Sequence, residues 1–306
     1  MTPLNDLGLP ALARATIDRA ADERTREGLL EALRADPTTR VVALQGDQAP
    51  LQPGRGAPAL LLVPPSAISE GAQWAFLGRD EDGSARLVAA VAAATERPVD
   101  AEDWGSLRAV GGELSPVESG LLVEAVALGR WLLDAPFCPA CGGRTIVRTA
   151  GWSRSCPDCG RDHFPRTDPA VIVAVASADG SRLLLGKNAM WKDRNVYSTF
   201  AGFVEAGESA EATIVREVHE EAGVIARDIR YRGSQAWPYP RSLMLGFHAA
   251  ALDDAAARPD GEEIVDVRWF SRAELTAALA GEADFALPGT ASIARRLILD
   301  WVEHPE

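Results

Sequence analysis

The pattern of apolar and polar positions changes about halfway along the chain. Up to residue 134, helix-like and strand-like stretches alternate, which predicts an α/β domain over residues 1–134. Residues 17–36 have helical composition. A second helix is predicted to start at Ser115, which would cap it, followed by Pro116 and then Glu118. The Pro/Gly-rich residues 45–58 predict a loop. The predicted strands are the apolar runs 40–45, 59–63 and 86–94.

After residue 167 the pattern becomes strand-rich, and short connections join the strands. Helices are predicted at 209–222, 271–281 and 292–304. The connections between strands are too short for parallel crossovers, so we expect an α/β sandwich with a mixed sheet over residues 167–306. The predicted strands are 170–177, 182–188, 197–205, 228–237, 242–252 and 264–270.

All four cysteines lie between these two regions. Two Cys-x-x-Cys pairs separated by 14 residues match the spacing at which four thiolates hold Zn²⁺, so residues 135–166 are expected to form a zinc ribbon. Four protein ligands leave no open position, which makes the zinc structural. Two disulfides and a redox Cys-x-x-Cys are the alternatives. The zinc ligands would be Cys138, Cys141, Cys156 and Cys159.

Charge and composition limit the classes of partner. The net charge of −13 opposes loose binding to a polyphosphate backbone, so a small anionic ligand would need local cations or bound metal. No apolar run is long enough to span a bilayer, and the first ten residues lack the features of a signal peptide. We therefore expect a cytoplasmic protein without a membrane partner.

The predicted helix 209–222 has an unusual acidic face. Glu217, Glu220 and Glu221 lie together beside an apolar face that includes Ile214 and Val218. Like charges at i,i+3 and i,i+4 repel one another, and a divalent cation such as Mg²⁺ or Mn²⁺ would remove that cost. A solvated acidic surface is the alternative from the helix alone.

Residues 202–224 resemble the box that defines the Nudix hydrolases. Gly202, Glu208 and the run Arg216 to Val224 match G-x5-E-x7-R-E-U-x-E-E-x-G-U at every specified position. The resemblance implies a Nudix α/β/α sandwich and metal-dependent hydrolysis of a nucleoside diphosphate linked to another group. Glu217 and Glu221 would be the principal ligands for Mg²⁺ or Mn²⁺, and Glu220 would be a ligand or the base that activates water.

The resemblance also implies further ligands and an orienting ion pair. The carbonyl of Ala201 would join the metal ligands, and Arg216 would pair with Glu208. A later carboxylate is expected before the strand at 264–270, where the family's spacing to Trp269 favours Glu263 over Glu262.

Ten residues after the box, "SQAWPYPRS" resembles S-Q-P-W-P-F-P-x-S, the signature of the NADH pyrophosphatase group of Nudix hydrolases. Ala236 stands where that signature has proline, and Tyr239 where it has phenylalanine. Prolines and aromatic rings are expected to make a rigid edge of a dinucleotide site. The residues of this stretch predicted to bind substrate are Gln235, Ala236, Trp237, Pro238, Tyr239, Pro240, Arg241 and Ser242.

Four residues elsewhere are candidates for the same substrate. Phe203 and Phe164 could stack on a base, although ordinary core packing is an alternative for Phe164. Ala294 would line the base site, and Arg108 would reach the substrate from the N-terminal domain, where a surface ion pair is the alternative.

The order of N-terminal domain, zinc ribbon and Nudix domain matches the same group. The resemblance implies cleavage of NAD(H) to nicotinamide mononucleotide and AMP, removal of NAD caps from RNA 5′ ends, and a homodimer. A broader diphosphatase acting on ADP-ribose or dinucleotide polyphosphates is the main alternative. A zinc-ribbon nucleic-acid-binding regulator with an inactive Nudix-like domain is the other, and the intact box glutamates and acidic chain argue against it.

Overall fold

The chain forms two compact units in the computed structural model, which describes residues 9–14, 17–54, 56–191 and 194–304. One unit is Arg14–Arg166, and the other combines residues 9–13 with 167–304. The first eight residues of the predicted N-terminal domain lie outside the described residues. The division of residues 1–166 into a domain ending at 134 and a ribbon starting at 135 stays a prediction.

The first unit contains a five-stranded sheet in the order β3-β4-β1-β2-β5, in which β1 and β4 are parallel and the other pairs are antiparallel. Its apolar core includes Leu33, Val41 and Phe76. The strands are β1 (Arg40–Gln45), β2 (Gln48–Leu51), β3 (Gln73–Arg79), β4 (Ala85–Val91) and β5 (Asp103–Ser106). The helices are α1 (Leu29–Ala35), α2 (Leu107–Val110) and α3 (Pro116–Asp134).

Three local predictions for this unit were wrong. The predicted helix over residues 17–36 is limited to α1 and a 3₁₀ turn, because Gly28 adopts the left-handed φ of 69° immediately before α1. The predicted strand at 59–63 contributes only isolated bridges at Leu60 and Val63. The predicted loop at 45–58 contains β2.

A small three-stranded sheet follows α3. It consists of β6 (Ile146–Arg148), β7 (Ser153–Ser155) and β8 (Asp162–His163) in the order β6-β7-β8. Strands of two or three residues bury little apolar surface, so this region needs another source of stability.

The second unit contains a six-stranded mixed sheet. Its order is β12-β13-β9-β10-β14, and β11 pairs with β9; β13 and β9 are parallel, whereas the other pairs are antiparallel. The predicted mixed sheet is thereby confirmed. The strands are β9 (Asp168–Ala176), β10 (Arg182–Asn188), β11 (Phe200–Phe203), β12 (Ala226–Trp237), β13 (Ser242–Ala251) and β14 (Ile264–Ser271).

Helices cover both faces of this sheet. On one face Val171 and Val173 pack in a cluster with Ile214 of α4 (Ala210–Ala222). On the other face Ile172 shares a cluster with residues of α5 (Arg272–Ala280) and α6 (Ile293–Glu303). Alternate residues of β9 thus face opposite helical layers, which gives the α/β/α sandwich. None of the helices in the described part of the chain combines the length and apolar content that crossing a bilayer requires.

Candidate active site

Helix α4 is held in one rotational setting by its caps and its apolar face. The Ser209 hydroxyl accepts a hydrogen bond from Ala212 N at 3.2 Å, and Gly223 ends the helix with a left-handed φ of 68°. Ile214 and Val218 are fully buried. Because the apolar side of α4 is fixed against the sheet, the positions of Glu217, Glu220 and Glu221 on the neighbouring side are fixed as well.

Gly202 lies directly against the carboxylate of Glu217. A Cβ atom built at Gly202 would overlap both the Cδ and the Oε1 of Glu217. The box therefore needs glycine here for close approach, since its φ does not lie in the left-handed region. Strand β11 and helix α4 meet at this contact.

Arg216 organises the acidic face by pairing with several groups. Its Nε and Nη2 donate to the two carboxylate oxygens of Glu208, both at 2.8 Å. Its Nη1 donates to Glu217 at 2.8 Å and to Glu220 at 3.2 Å, and its Nη2 also donates to the Phe203 carbonyl at 3.1 Å. The bidentate pair lowers the pKa of Glu208 to about 2. This geometry suits a role in which Arg216, paired with Glu208, orients Glu217 and Glu220.

Glu221 is the buried member of the cluster. Glu221 is only 5% exposed, and among the described residues no hydrogen-bond donor reaches its Oε2. Burial, followed by the negative charges of Glu263, Glu217 and Asp260, raises the pKa of Glu221 to about 8. Burial also raises the pKa of Glu217. No cationic side chain of the described residues forms an ion pair with Glu221.

The main chain of Ala201 faces the same place. In the antiparallel pair of β11 and β9, Val204 N donates to the Pro169 carbonyl at 3.0 Å. In an antiparallel pair, residues that form hydrogen bonds with the neighbouring strand alternate with residues that do not. Val204 is bonded to β9, so Ala201, three positions earlier, is not, and its N–H and C=O point away from β9. A backbone hydrogen bond from Ala201 to Glu221 agrees with this direction. The carbonyl is thus available beside Glu221.

Glu263 is held in place from three sides. Its N–H donates to Asp260 Oδ1 at 2.9 Å, its carbonyl accepts from Ala189 N at 2.8 Å, and its Oε1 accepts from Asn188 Nδ2 at 3.3 Å. A register shift between Lys187 and Asn188 interrupts the pairing of β10 with β14 at this point. Sequence reasoning missed Asn188 and Asp260, for which no motif position gave a signal.

Together these residues form a set of oxygen donors. Three carboxylates, one of them with an unpartnered buried oxygen, and a main-chain carbonyl are donors of the kind that Mg²⁺ or Mn²⁺ binds. The charges of Glu263 and Glu217 already act on Glu221. The donor set therefore fits a hard divalent cation. Such a site can bind a diphosphate and hydrolyse it.

The stretch expected to be a rigid loop is a hairpin. Only residues 238–241 form the turn, while Gln235 to Trp237 belong to β12 and Ser242 begins β13. Trp237 pairs with Ser242 across the hairpin, and the rings of Trp237 and Tyr239 lie 5.0 Å apart. Arg241 Nε donates to Asp168 Oδ2 at 2.9 Å. The aromatic edge is therefore built on strand ends, with Pro238 buried and Pro240 exposed.

The side-chain amide of Gln235 is hydrogen-bonded at both of its ends. Its side chain is 1% exposed, Oε1 accepts from Leu12 N at 3.2 Å, and Nε2 donates to the Ala291 carbonyl at 3.0 Å. Both ends of the amide are used within the unit, so the side chain supports the hairpin. Its contact with a ribose or phosphate stays a prediction.

The other predicted substrate contacts of this unit differ in exposure. Phe203, at the end of β11, is 51% exposed, whereas Ala294 is 1% exposed inside the cluster beneath α6. Ala294 is buried in this structure, and its role in lining the base site stays a prediction. Ser242 is buried, and Ala236 pairs with Leu243 within the hairpin.

Phe164 and Arg108 belong to the first unit. Phe164 is 47% exposed, so core packing does not explain it, and the Arg166 guanidinium lies 5.9 Å from its ring. Arg108 is an exposed residue of α2. Their contribution to substrate binding stays a prediction.

The four cysteines converge on one point. Their Sγ atoms all lie within 4.8 Å of one another, with Cys138 and Cys159 at 3.7 Å and Cys141 and Cys156 at 3.4 Å. These distances exceed a disulfide bond of about 2.05 Å and approach the edge of about 3.8 Å in a tetrahedron around Zn²⁺. His163 Nε2 lies 3.2 Å from Cys138 Sγ, outside the four ligands. The ribbon therefore carries a structural zinc site.

Comparisons with known proteins agree with this geometry. Residues 166–288 match the NUDIX domain, and residues 134–164 match the NADH pyrophosphatase zinc ribbon domain. The chain is 40% identical to the "NAD-capped RNA hydrolase NudC" of Mycobacterium tuberculosis, over 96% of this chain and 95% of that protein. It is 41% identical to the protein of the same name from Stutzerimonas stutzeri, over 64% of this chain and 66% of that protein.

The fold, the geometry of the site and the similarity over almost the whole chain all indicate the same class of protein. The chain belongs to the Nudix hydrolase family, in the group that carries the NADH pyrophosphatase zinc ribbon. A solved Nudix hydrolase from Nitrosomonas europaea is similar with a TM-score of 0.38 and 26% identity, covering 49% of this chain and 96% of that one.

Proposed function

We propose that this protein hydrolyses the pyrophosphate bond of NAD(H) to nicotinamide mononucleotide and AMP, and removes NAD caps from RNA 5′ ends. The observation that carries the proposal is the carboxylate cluster around the buried, unpartnered oxygen of Glu221. Two relatives, similar over most of this chain, are named NAD-capped RNA hydrolases, which supports the choice of substrate.

The activating cation is Mg²⁺ or Mn²⁺. Glu217, Glu221 and Glu263 would hold it together with the carbonyl of Ala201. When bound, such an ion neutralises charge on the phosphoryl oxygens and lowers the pKa of water.

The protein residues have separate tasks in this proposal. Glu217 and Glu221 position the ion, and Glu220, whose side chain is 57% exposed, accepts a proton from the attacking water. Arg216 keeps Glu217 and Glu220 oriented through its hydrogen bonds at 2.8 and 3.2 Å. The reaction needs no covalent intermediate with the protein.

Substrate binding is assigned to the aromatic edge and the exposed rings. Trp237 and Tyr239 provide flat surfaces for a base, and the half-exposed Phe203 provides another beside the box. Phe164 and Arg108 are further candidates from the first unit. Broader action on ADP-ribose or dinucleotide polyphosphates is the competing function, because Ala236 replaces the proline of the signature.

The experiment compares NADH, NAD⁺, ADP-ribose and NAD-capped RNA with Mg²⁺ or Mn²⁺, resolving products by chromatography. Wild type should release AMP and nicotinamide mononucleotide, Glu221→Gln should lose roughly a hundredfold or more in kcat, and Glu211→Gln should behave as wild type. Glu211 is a matched control because it is exposed in the first turn of the same helix. Failure to cleave either NAD form would refute the proposal, and preference for ADP-ribose would favour the alternative.

The resemblance implies a dimer, and the lack of an apolar span or signal-peptide features in the sequence favours a cytoplasmic location. We propose a cytoplasmic homodimer without a membrane partner. Analytical ultracentrifugation over a range of concentrations tests the dimer, and fractionation of cells tests the location.

A further inference from the structure

The zinc ribbon has an exposed stripe of alternating basic and apolar side chains. Arg144, Ile146 and Arg148 are exposed at every second position, while Thr145 between them is buried. Phe137 pairs with Arg144 across an antiparallel bridge. Because side chains alternate between faces of an extended chain, the three exposed residues share one face. We call Phe137, Arg144, Ile146 and Arg148 the ribbon stripe.

The apolar members of the stripe are exposed to an unusual degree. Phe137 is 56% exposed and Ile146 is 44% exposed. The Arg144 guanidinium lies 5.8 Å from the centre of the Phe137 ring. Aromatic rings interleaved with arginines are what single-stranded nucleic acid binds, since the rings stack on bases and the cations contact phosphates.

The charge of this region is opposite to that of the chain. Residues 135–166 contain five arginines and two aspartates, whereas the whole chain has a net charge of −13. The region stays positive even after the negative charge of a Zn²⁺ ion with four thiolates is included. At the Arg148 end lies a cavity of about 330 Å³, which Arg24 and Arg26 also line, together with Glu27 and Glu31. The ribbon therefore offers a polyanion a positively charged surface, although the protein as a whole is acidic.

We infer that the ribbon stripe binds the single-stranded RNA that follows an NAD cap. This inference rests on the proposed function, in which capped RNA is a substrate. The arginines contact phosphates without reading sequence, and Phe137 stacks on a base. Free NAD(H) lacks an RNA chain and does not need the stripe.

The test compares wild type with the double variant Arg144→Glu/Arg148→Glu and the control Arg97→Glu. Arg97 is an exposed arginine of the same unit, 4.8 Å from the ring of Trp104, outside the stripe. The double variant should keep kcat/KM for NADH within about twofold and lose roughly tenfold or more for NAD-capped RNA. Arg97→Glu should change neither value.

Direct binding separates this inference from the proposed function. Fluorescence polarisation with an uncapped 5′-hydroxyl RNA of about 20 nucleotides measures affinity without catalysis. The double variant should weaken binding and reduce the slope of log K against log salt by about 1.4, whereas Arg144→Lys/Arg148→Lys should retain both. Zinc content and melting temperature must match wild type. Unchanged RNA affinity in the folded double variant would overturn the inference, even if NADH were still cleaved.

Discussion

At the scale of single residues, Gly202 controls where the Glu217 carboxylate can lie. Gly202→Ala should displace that carboxylate, since the new Cβ would overlap it. The backbone φ of Gly202 is accessible to alanine, and the obstructing group is the end of a flexible side chain, so stability should change by less than about 1 kcal/mol. We expect affinity for Mn²⁺ to fall roughly tenfold. Calorimetric titration with Mn²⁺ and thermal unfolding measure the two effects.

Gly289→Ala is the matched control for that substitution. A Cβ at Gly289 meets no atom within 4 Å, and its φ is not left-handed. Affinity for Mn²⁺ should therefore stay at the wild-type value. If Gly202→Ala bound Mn²⁺ as tightly as Gly289→Ala, the close approach of β11 and α4 would have no role in metal binding.

Asn188 acts on the site through Glu263. Asn188→Ala removes the amide that donates to Glu263 Oε1 at 3.3 Å, and Mn²⁺ affinity should fall roughly threefold to tenfold. Asn195→Ala removes a comparable amide, which donates to the Asp284 carbonyl at 2.8 Å, and should leave the affinity unchanged. Titrating Mn²⁺ into Asn188→Ala with and without Glu263→Gln measures the coupling. Equal losses in both backgrounds would show that Asn188 does not work through Glu263.

At the scale of elements, local signals predicted the second unit well. The predicted helix at 271–281 is α5, which begins with a capping box of Ser271 and Glu274, and the predicted helix at 209–222 is α4, Ala210–Ala222. Both helices have caps of their own, and α4 also has a clear apolar face. Residues 17–36 lack such consistency, because composition favours a helix while Gly28 takes a left-handed conformation. Propensity alone cannot resolve that conflict.

Sequence also identified the carboxylates of the site but not their supports. The box gives Glu217, Glu220 and Glu221 by spacing, whereas Asn188 and Asp260 reach Glu263 through hydrogen bonds made at a register shift between strands. Burial of Gln235 and Ala294 likewise depends on packing between distant segments. No local pattern contains that information.

The ribbon strands should depend on zinc. β6, β7 and β8 have only two or three residues each, and the cysteine Sγ atoms are the feature that ties both knuckles together. Removing Zn²⁺ should unfold residues 135–166, because the binding free energy of a structural zinc is folding free energy. Hydrogen exchange after chelation should show lost protection there and retained protection in β9 and β13. Retained protection in the ribbon would contradict a structural role for the metal.

At the scale of the whole molecule, stability depends on charges buried away from the active site. Glu124 lies in α3 of the first unit and is 4% exposed. Arg19 Nη1 lies 3.3 Å from its Oε1, but neither carboxylate oxygen has a hydrogen-bond partner among the described residues. Burial raises the pKa of Glu124 to about 7, against the lowering effect of Arg19 and Arg24. The folded unit thus favours the protonated acid.

This raised pKa fixes the sign of a pH dependence. Between the unfolded pKa near 4.5 and the folded pKa near 7, the native state binds more protons, so stability falls as pH rises and then levels off. Glu124→Gln removes the ionisation and should be more stable than wild type at pH 8 by up to about 3 kcal/mol, with a smaller difference near pH 5. Glu31→Gln, at an exposed position of α1, should follow the wild-type profile. Urea unfolding followed by pulsed hydrogen exchange of α3 measures this unit alone, and a difference between Glu124→Gln and wild type that did not grow with pH would contradict the assignment.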